Sequence, residues 1–463
     1  MVASGQDVRS PDRMMRSPQA PPGRGLLIGF SLGSLGTGIF SITPSVLLLY
    51  FMTDILGIAA GLAAIAMAVP RFWDILVDPV VGAVSDRTRS RWGRRRPFLL
   101  VGAILMTASF IFLFSVPESL SVEGRFWYVL TIFVISSTAY SVFAVPYVAM
   151  PAEMSEVPQE RTRIMAYRIG FALAGLLIGA TVAPLLVELF GNGRAGYAAM
   201  SYTIGGFCGL TMLAVFFVSS RIPLSDAAEA GPSLRNQLGS VLRNRQFLVL
   251  LVTYMIQISG ISGFLAAVPY FIIYIDGGTA GDAGLVFLAL MSAALLSMPL
   301  WSWAAIRFGK YACYRATTIL YAATSLIFLL FLRDVPAMPV MLAAVLGVSF
   351  GSIMMLPFSM LTDTIQLDTM ATGLRREGIF TGLWMAGEKA GLAFGPLIVG
   401  TILSLTGFAP STDGVAVSQT GTALWGVQAA FGLVPAGVVL ASLVVLHFYS
   451  VREVMLVRPS LEN

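Results

Sequence analysis

Residues 59–84 read AAGLAAIAMAVPRFWDILVDPVVGAV, an apolar run longer than the roughly 20 residues that a helix needs to cross a bilayer. Inside it Arg71, Asp74 and Asp78 fall at i, i+3 and i+7, so all three line one face of the helix. An ionisable group at mid-bilayer costs about 2.5 to 3.5 kcal/mol on insertion scales. Two carboxylates on one stripe therefore point to an ion or solute path, and the stripe reads as the cation site of a transporter.

The rest of the chain agrees with that class. Of 463 residues 57% are hydrophobic and 11% charged, against roughly 25% charged in soluble domains. The composition predicts an all-α polytopic membrane protein. Apolar segments of spanning length fall near 25–52, 59–84, 98–116, 126–150, 165–190, 197–219, 247–275, 283–306, 311–332, 336–362, 378–406 and 421–449. The net charge of +5 does not indicate nucleic acid, because the basic residues follow the positive-inside rule. Arg9, Arg13, Arg16, Arg24 and six arginines after the second span lie on one side, and only Arg125, Arg194 and Arg333 on the other. Both termini are expected in the cytoplasm, and the natural location is a bacterial inner membrane.

Cys208 and Cys313 have no CxxC spacing and His447 is the single histidine, so neither a disulfide framework nor a zinc site is expected. No cofactor is implied beyond Na⁺ or H⁺ as coupling ion, with no metal other than Na⁺ at Asp74 and Asp78. The expected divisions are a disordered cytoplasmic tail at 1–24, a six-helix bundle at 25–219, a central cytoplasmic loop at 220–246, a second six-helix bundle at 247–449 and a tail at 450–463. A short basic loop with glycine follows the second span (SDRTRSRWGRRRPFLL) and recurs after the eighth (RFGKYACYR). Two six-helix halves around a midplane site are the plan of the major facilitator superfamily.

The arginine loop has its own mechanics. Asp86, Arg87, Arg94, Arg95 and Arg96, with Asp363 at the end of the tenth span, are candidates for a cytoplasmic gate. Ion pairs of about 0 to 1 kcal/mol are weak enough to form and part as the halves rock.

Several ordered motifs carry a family resemblance. RFWDILVDPVVGAVSDRTRSRWGRRRPFLLVGA, PYVAMPAEMSEVPQERTRIMAYR, LPFSMLTDTIQLD, TGLRREGIFTG and the later Lys389 resemble the glycoside-pentoside-hexuronide:cation symporters, over most of the chain. The resemblance implies that Asp74 and Asp78 bind the coupling Na⁺, Li⁺ or H⁺, and the chemistry agrees. Hard cations take oxygen ligands, and two carboxylates one turn apart repel until an ion or proton arrives. By the same resemblance Lys389 exchanges charge with the pair and Arg168 contacts substrate or its neighbours, while Arg71, from its place on the stripe, is a second charge-coupling candidate. Tyr140 and Thr53 match polar positions near the central cavity. Glu388, about 100° round the helix from Lys389, is expected to face elsewhere.

Departures from the melibiose-permease pattern bear on the cargo. Gly38 and Ala144 stand where that branch has sugar-binding aspartates, and Val148 and Met354 where it has stacking aromatics. The expected activity is cation-coupled symport of a glycoside or related small polar solute by a monomer in the lipid bilayer. A lysophospholipid or other amphiphile is the alternative cargo, since similar motifs occur in lysophosphatidylcholine transporters, and a non-transporting sensor is more remote. There is no P-loop for a pump and no HExxH for an intramembrane enzyme.

Overall fold

The computed structural model describes residues 23–154, 158–221, 239, 241–330, 337–373, 376–415 and 417–450. Residues 1–22 and 451–463 of the expected tails, and most of the expected central loop at 220–246, lie outside the described residues. Among the described residues, twelve helices are long and apolar enough to span a membrane. They are α1 (Arg24–Ile55), α2 (Ala60–Arg87), α3 (Arg96–Phe114), α4 (Val122–Met154), α5 (Pro158–Leu189) and α6 (Arg194–Val218), then α7 (Arg245–Asp276), α8 (Ala280–Phe308), α9 (Lys310–Leu330), α10 (Met338–Thr372), α11 (Glu377–Leu405) and α12 (Gly421–Leu446).

Local chemistry sets several boundaries. Thr279 caps α8 in a reciprocal box with Asp282, and Asn244 accepts the Phe247 amide at the start of α7. α1 and α7 end in a widened turn closed by Gly57 and Gly277, whose φ angles of 73° and 77° suit glycine. α10 runs about ten residues past the apolar segment expected at 336–362. Its polar extension is held from the side, where Asp363 meets Lys310 at 2.6 Å and Asp368 meets Arg376 at 2.7 Å.

The first six helices pack on one another, and so do the last six, in matching pairs. α1 packs on α5 as α7 does on α11, and α2 on α4 as α8 does on α10. Two long seams join the halves, α2 against α11 and α5 against α8, and exchanging the halves maps one seam onto the other. α1 meets α7 at the centre. This is a pseudo-symmetric pair of six-helix bundles.

Glycine decides the closest approach of α1 to α5. A Cβ on Gly38 would meet the Ala172 carbonyl at 2.6 Å and the Gly175 Cα at 3.2 Å. The position that holds a sugar-binding acid in the resembled branch is thus a backbone contact here, with no room for a side chain.

Candidate functional site: a charged seam and a sealed end

The α2 stripe faces the α2/α11 seam. Asp74 is 3% exposed and accepts a hydrogen bond from Ser137 of α4, whose hydroxyl also lies 3.0 Å from the Pro70 carbonyl. One turn on, Ser141 donates to Asp78 at 2.5 Å. Lys389 reaches across from α11, its Nζ 2.5 Å from Asp78 and 3.5 Å from Asp74. Arg71 donates to Ser45 of α1 at 3.1 Å.

The two carboxylates are thus matched by one ammonium and one guanidinium. That matters because an isolated charge at this depth is expensive and pairing is what makes it tolerable. Beside Asp74 a small cleft of about 20 Å³ is lined by Phe40, Ser41, Pro44, Arg71, Ser137 and Tyr140, among others. It has room for one water-sized particle. Pro44 and Pro70 each lack the amide that would bond the carbonyl four residues back, adding oxygen lone pairs to this stretch of backbone. Carboxylate, hydroxyl and carbonyl oxygens around a small space form a donor set for a hard monovalent cation.

The remaining candidates distribute differently. Tyr140 lines the same cleft and stacks on Phe40 at 5.8 Å. Arg168 is 8% exposed and sits toward the arginine-rich end, its guanidinium 4.5 Å over the Tyr147 ring. Its Nε has no hydrogen-bond partner, and Tyr147 is fixed by donating to the Phe30 carbonyl at 2.8 Å. Thr53, expected beside the central cavity, lies instead at the arginine-poor end, 2.7 Å from Tyr270. The reason is the length of α1, which carries residue 53 into its last turn.

That end holds a polar network that reading the chain did not anticipate. Asp54 is fully buried and accepts from Thr53 at 2.5 Å and from Tyr274 of the other half. The loop between α11 and α12 docks onto it, with Ser411 donating to the Asp54 carbonyl at 2.8 Å and Asp413 pairing with Arg194 at 2.7 Å. Thr279 adds a further bond between halves, to Glu188 at 3.0 Å. The halves are therefore tied together at the arginine-poor end.

The gate candidates make contacts of another kind. Asp86 pairs with Arg95 at 2.6 Å, Arg95 donates to Ser85, and Arg96 lies over Phe216 at 4.8 Å, all within the first half. Asp363 pairs with Lys310 within the second half. Arg87 and Arg94 are at the exposed or partly exposed surface of the same loop.

The model of the family described as MFS/sugar transport protein matches residues 29–453. A putative glycoside/cation symporter of Escherichia coli is 27% identical over 92% of both chains. An isoprimeverose transporter of Lactiplantibacillus pentosus is 25% identical, over 92% of this chain and 88% of its own. Among solved structures, a bacterial homologue of the human lysosomal transporter Spinster superposes with a TM-score of 0.70 at 12% identity, covering 92% of this chain and 95% of that one. A nucleoside transporter gives 0.66 at 12% identity, over 90% and 99% of the two chains. These structures share the fold.

Proposed function

The chain belongs to the MFS/sugar transport family of membrane transporters, and from that membership we propose that it carries a glycoside or related small polar solute into the cell by symport with Na⁺ or H⁺. The observation that carries the reading is Lys389 lying between Asp74 and Asp78 across the seam. An ammonium in that position stands in for a coupling ion. When Na⁺ or a proton takes the carboxylates, Lys389 loses its partners and the charge joining the halves changes.

Transport then proceeds by alternating access. The arginine-rich end is cytoplasmic by the positive-inside rule, so the network around Asp54 is the outer closure. The coupling ion enters from outside when that closure parts, raises affinity for the solute between the halves, and by thermodynamic linkage the solute raises affinity for the ion by the same factor. Re-forming the Asp54 contacts seals the outside, and release follows on the cytoplasmic side. The relatives named glycoside and isoprimeverose transporters support the sugar-like cargo.

A second reading has one observation in its favour. An open apolar groove along α5 is lined by Ala166, Tyr167, Gly170, Phe171 and Ala174 with Leu35 of α1, and Arg168 lies on the same stretch of α5. That pairing of apolar wall and guanidinium would suit a lysophospholipid or other amphiphile.

The test is uptake into proteoliposomes of methyl glycosides and, separately, of lysophosphatidylcholine, with and without an imposed Na⁺ or proton gradient. Gradient-driven glycoside uptake that is lost in Asp74→Asn and Asp78→Asn is the expected result. Uptake indifferent to both gradients, or surviving both substitutions, refutes the coupling assignment.

A further inference from the structure

Glu388 is next to Lys389 on α11, yet it takes no part in the ion cluster. Its Oε2 is buried and makes no close hydrogen bond, although the Tyr254 hydroxyl of α7 lies near enough to turn toward it. Two neighbouring groups share that condition, the Tyr254 hydroxyl of α7 and the Trp384 indole N–H one turn back on α11. Tyr254 and Trp384 stack at 4.6 Å with their planes 16° apart. Phe358 of α10 meets both edge-on at 6.0 and 5.5 Å and remains 38% exposed. From the other half, Arg71 and Tyr140 are electrostatic neighbours of the Glu388 carboxylate. Glu388 therefore faces the space between the halves, on the α4/α7 side of the charged seam.

When the phenol turns to the carboxylate, the Trp384 indole N–H and the remaining carboxylate lone pairs are still unanswered, and buried groups left so beside one another call for a ligand. Their chemistry restricts its class. A carboxylate oxygen only accepts, whereas an indole N–H only donates and a phenol can donate. A metal cation would satisfy the carboxylate and leave the indole and phenol unanswered. A hydroxyl group answers all of them, because it gives its proton to the carboxylate and offers lone pairs to the donors. The exposed face of Phe358 adds an apolar surface suited to the C–H side of a sugar ring.

We infer that Glu388, Tyr254 and Trp384 form a subsite in the second half that reads hydroxyl groups of a polyhydroxylated solute, with Arg71 and Tyr140 facing it from the first half. The subsite replaces acceptors absent at Gly38 and Ala144, and it rests on the reading of the cargo as sugar-like.

The test uses the full chain in nanodiscs and titrates methyl β-D-glucopyranoside, methyl β-D-xylopyranoside and their singly deoxygenated analogues, with and without Na⁺ and at two pH values. Wild type, Glu388→Gln and Tyr254→Phe are compared, and cation-dependent thermal stabilisation is recorded in parallel. The expected result is about 10- to 100-fold weaker glycoside binding in Glu388→Gln. Its preference for the parent glycoside over one deoxy analogue collapses while cation stabilisation persists, and Tyr254→Phe shifts the same preference by a smaller factor. An unchanged deoxy preference in both variants overturns the inference and leaves the sugar reading standing. So does loss of cation stabilisation with glycoside preference intact, which assigns Glu388 to coupling. A wild type that binds no glycoside, whether or not lysophosphatidylcholine stabilises it, overturns the sugar reading and the subsite together.

Discussion

The α2/α4 layer of the first half and the α8/α10 layer of the second occupy equivalent places, and they differ in what lies between the helices. In the first, Ser137 approaches the Pro70 carbonyl and Asp74, and Ser141 bonds Asp78. In the second, Gly347 lies against the Leu290 carbonyl and Gly351 against the Ala294 carbonyl, each so close that a Cβ would collide. Pro70 and Leu290, like Asp74 and Ala294, are separated by the interval of 220 residues that also separates Asp54 from Tyr274. The frame is duplicated and the ion chemistry is not. One half carries a cluster of carboxylate and hydroxyl oxygens, while the other fills the same space with close backbone packing, joined by Ser297 and Trp301 donating to the Val348 carbonyl, and lends Lys389 to the charged cluster.

The largest effect that would test this contrast comes from the carboxylates. Breaking a buried charge pair costs about 3 to 5 kcal/mol, so Asp78→Asn and Asp74→Asn should each lower gradient-driven uptake by roughly 100-fold or more. Flux measured in proteoliposomes checks this, and a loss confined to one of the two would mean that the pair is not a unit. Making the first half resemble the second is the next step down. Ser137→Gly removes a hydrogen bond to a charged group, worth about 1.5 to 3 kcal/mol, and should weaken cation-dependent thermal stabilisation by about tenfold in apparent affinity.

The converse substitution sharpens the comparison from the other side. Gly351→Ala overpacks α8 against α10 and should destabilise the fold by about 1 to 3 kcal/mol, seen as a lower melting temperature with unaltered cation dependence. A changed ion affinity there would contradict the division of labour between the halves. Tyr274→Phe leaves Asp54 short of a donor and loosens the tied end, so hydrogen exchange across residues 51–57 should rise about fivefold, as expected for roughly 1 kcal/mol. Asp86→Asn removes an exposed carboxylate from the buried Arg95, which keeps its bond to Ser85, and should change stability by about 1 kcal/mol, the smallest shift of the melting temperature in the series.

How much of this could be read from the chain follows from the physics of each signal. Twelve apolar runs and the stripe of Arg71, Asp74 and Asp78 were legible because hydrophobic length and helical spacing are local properties. Lys389 was reachable only through resemblance, since nothing local says which helix an ammonium will face. The tied end was missed for two reasons. Asp54 falls just past the apolar run taken to end at residue 52, and its partner Tyr274 is a residue type that raises no alarm in a span. The signal that could have found it is the repeat of Tyr50, Phe51 and Gly57 as Tyr270, Phe271 and Gly277. Glu388 was expected to point away because one step round a helix is about 100°. It does turn from the ion cluster: α2 and α7 both pack on α11, so that Lys389 faces one and Glu388 the other.

The place where α1 meets α7 has a consequence of symmetry alone. Tyr50 and Tyr270 stand at equivalent positions and touch edge to face at 5.3 Å, and one turn on the equivalent pair is Asp54 with Tyr274. In an assembly of two identical subunits, residues meeting on the twofold axis must be alike, because such a contact is self-complementary. Acid would face acid there and repel, or phenol would face phenol and leave nothing to accept both protons. A single chain that writes both halves separately escapes that restriction. It can set an acceptor opposite a donor on its own axis, at the end where the two halves are tied.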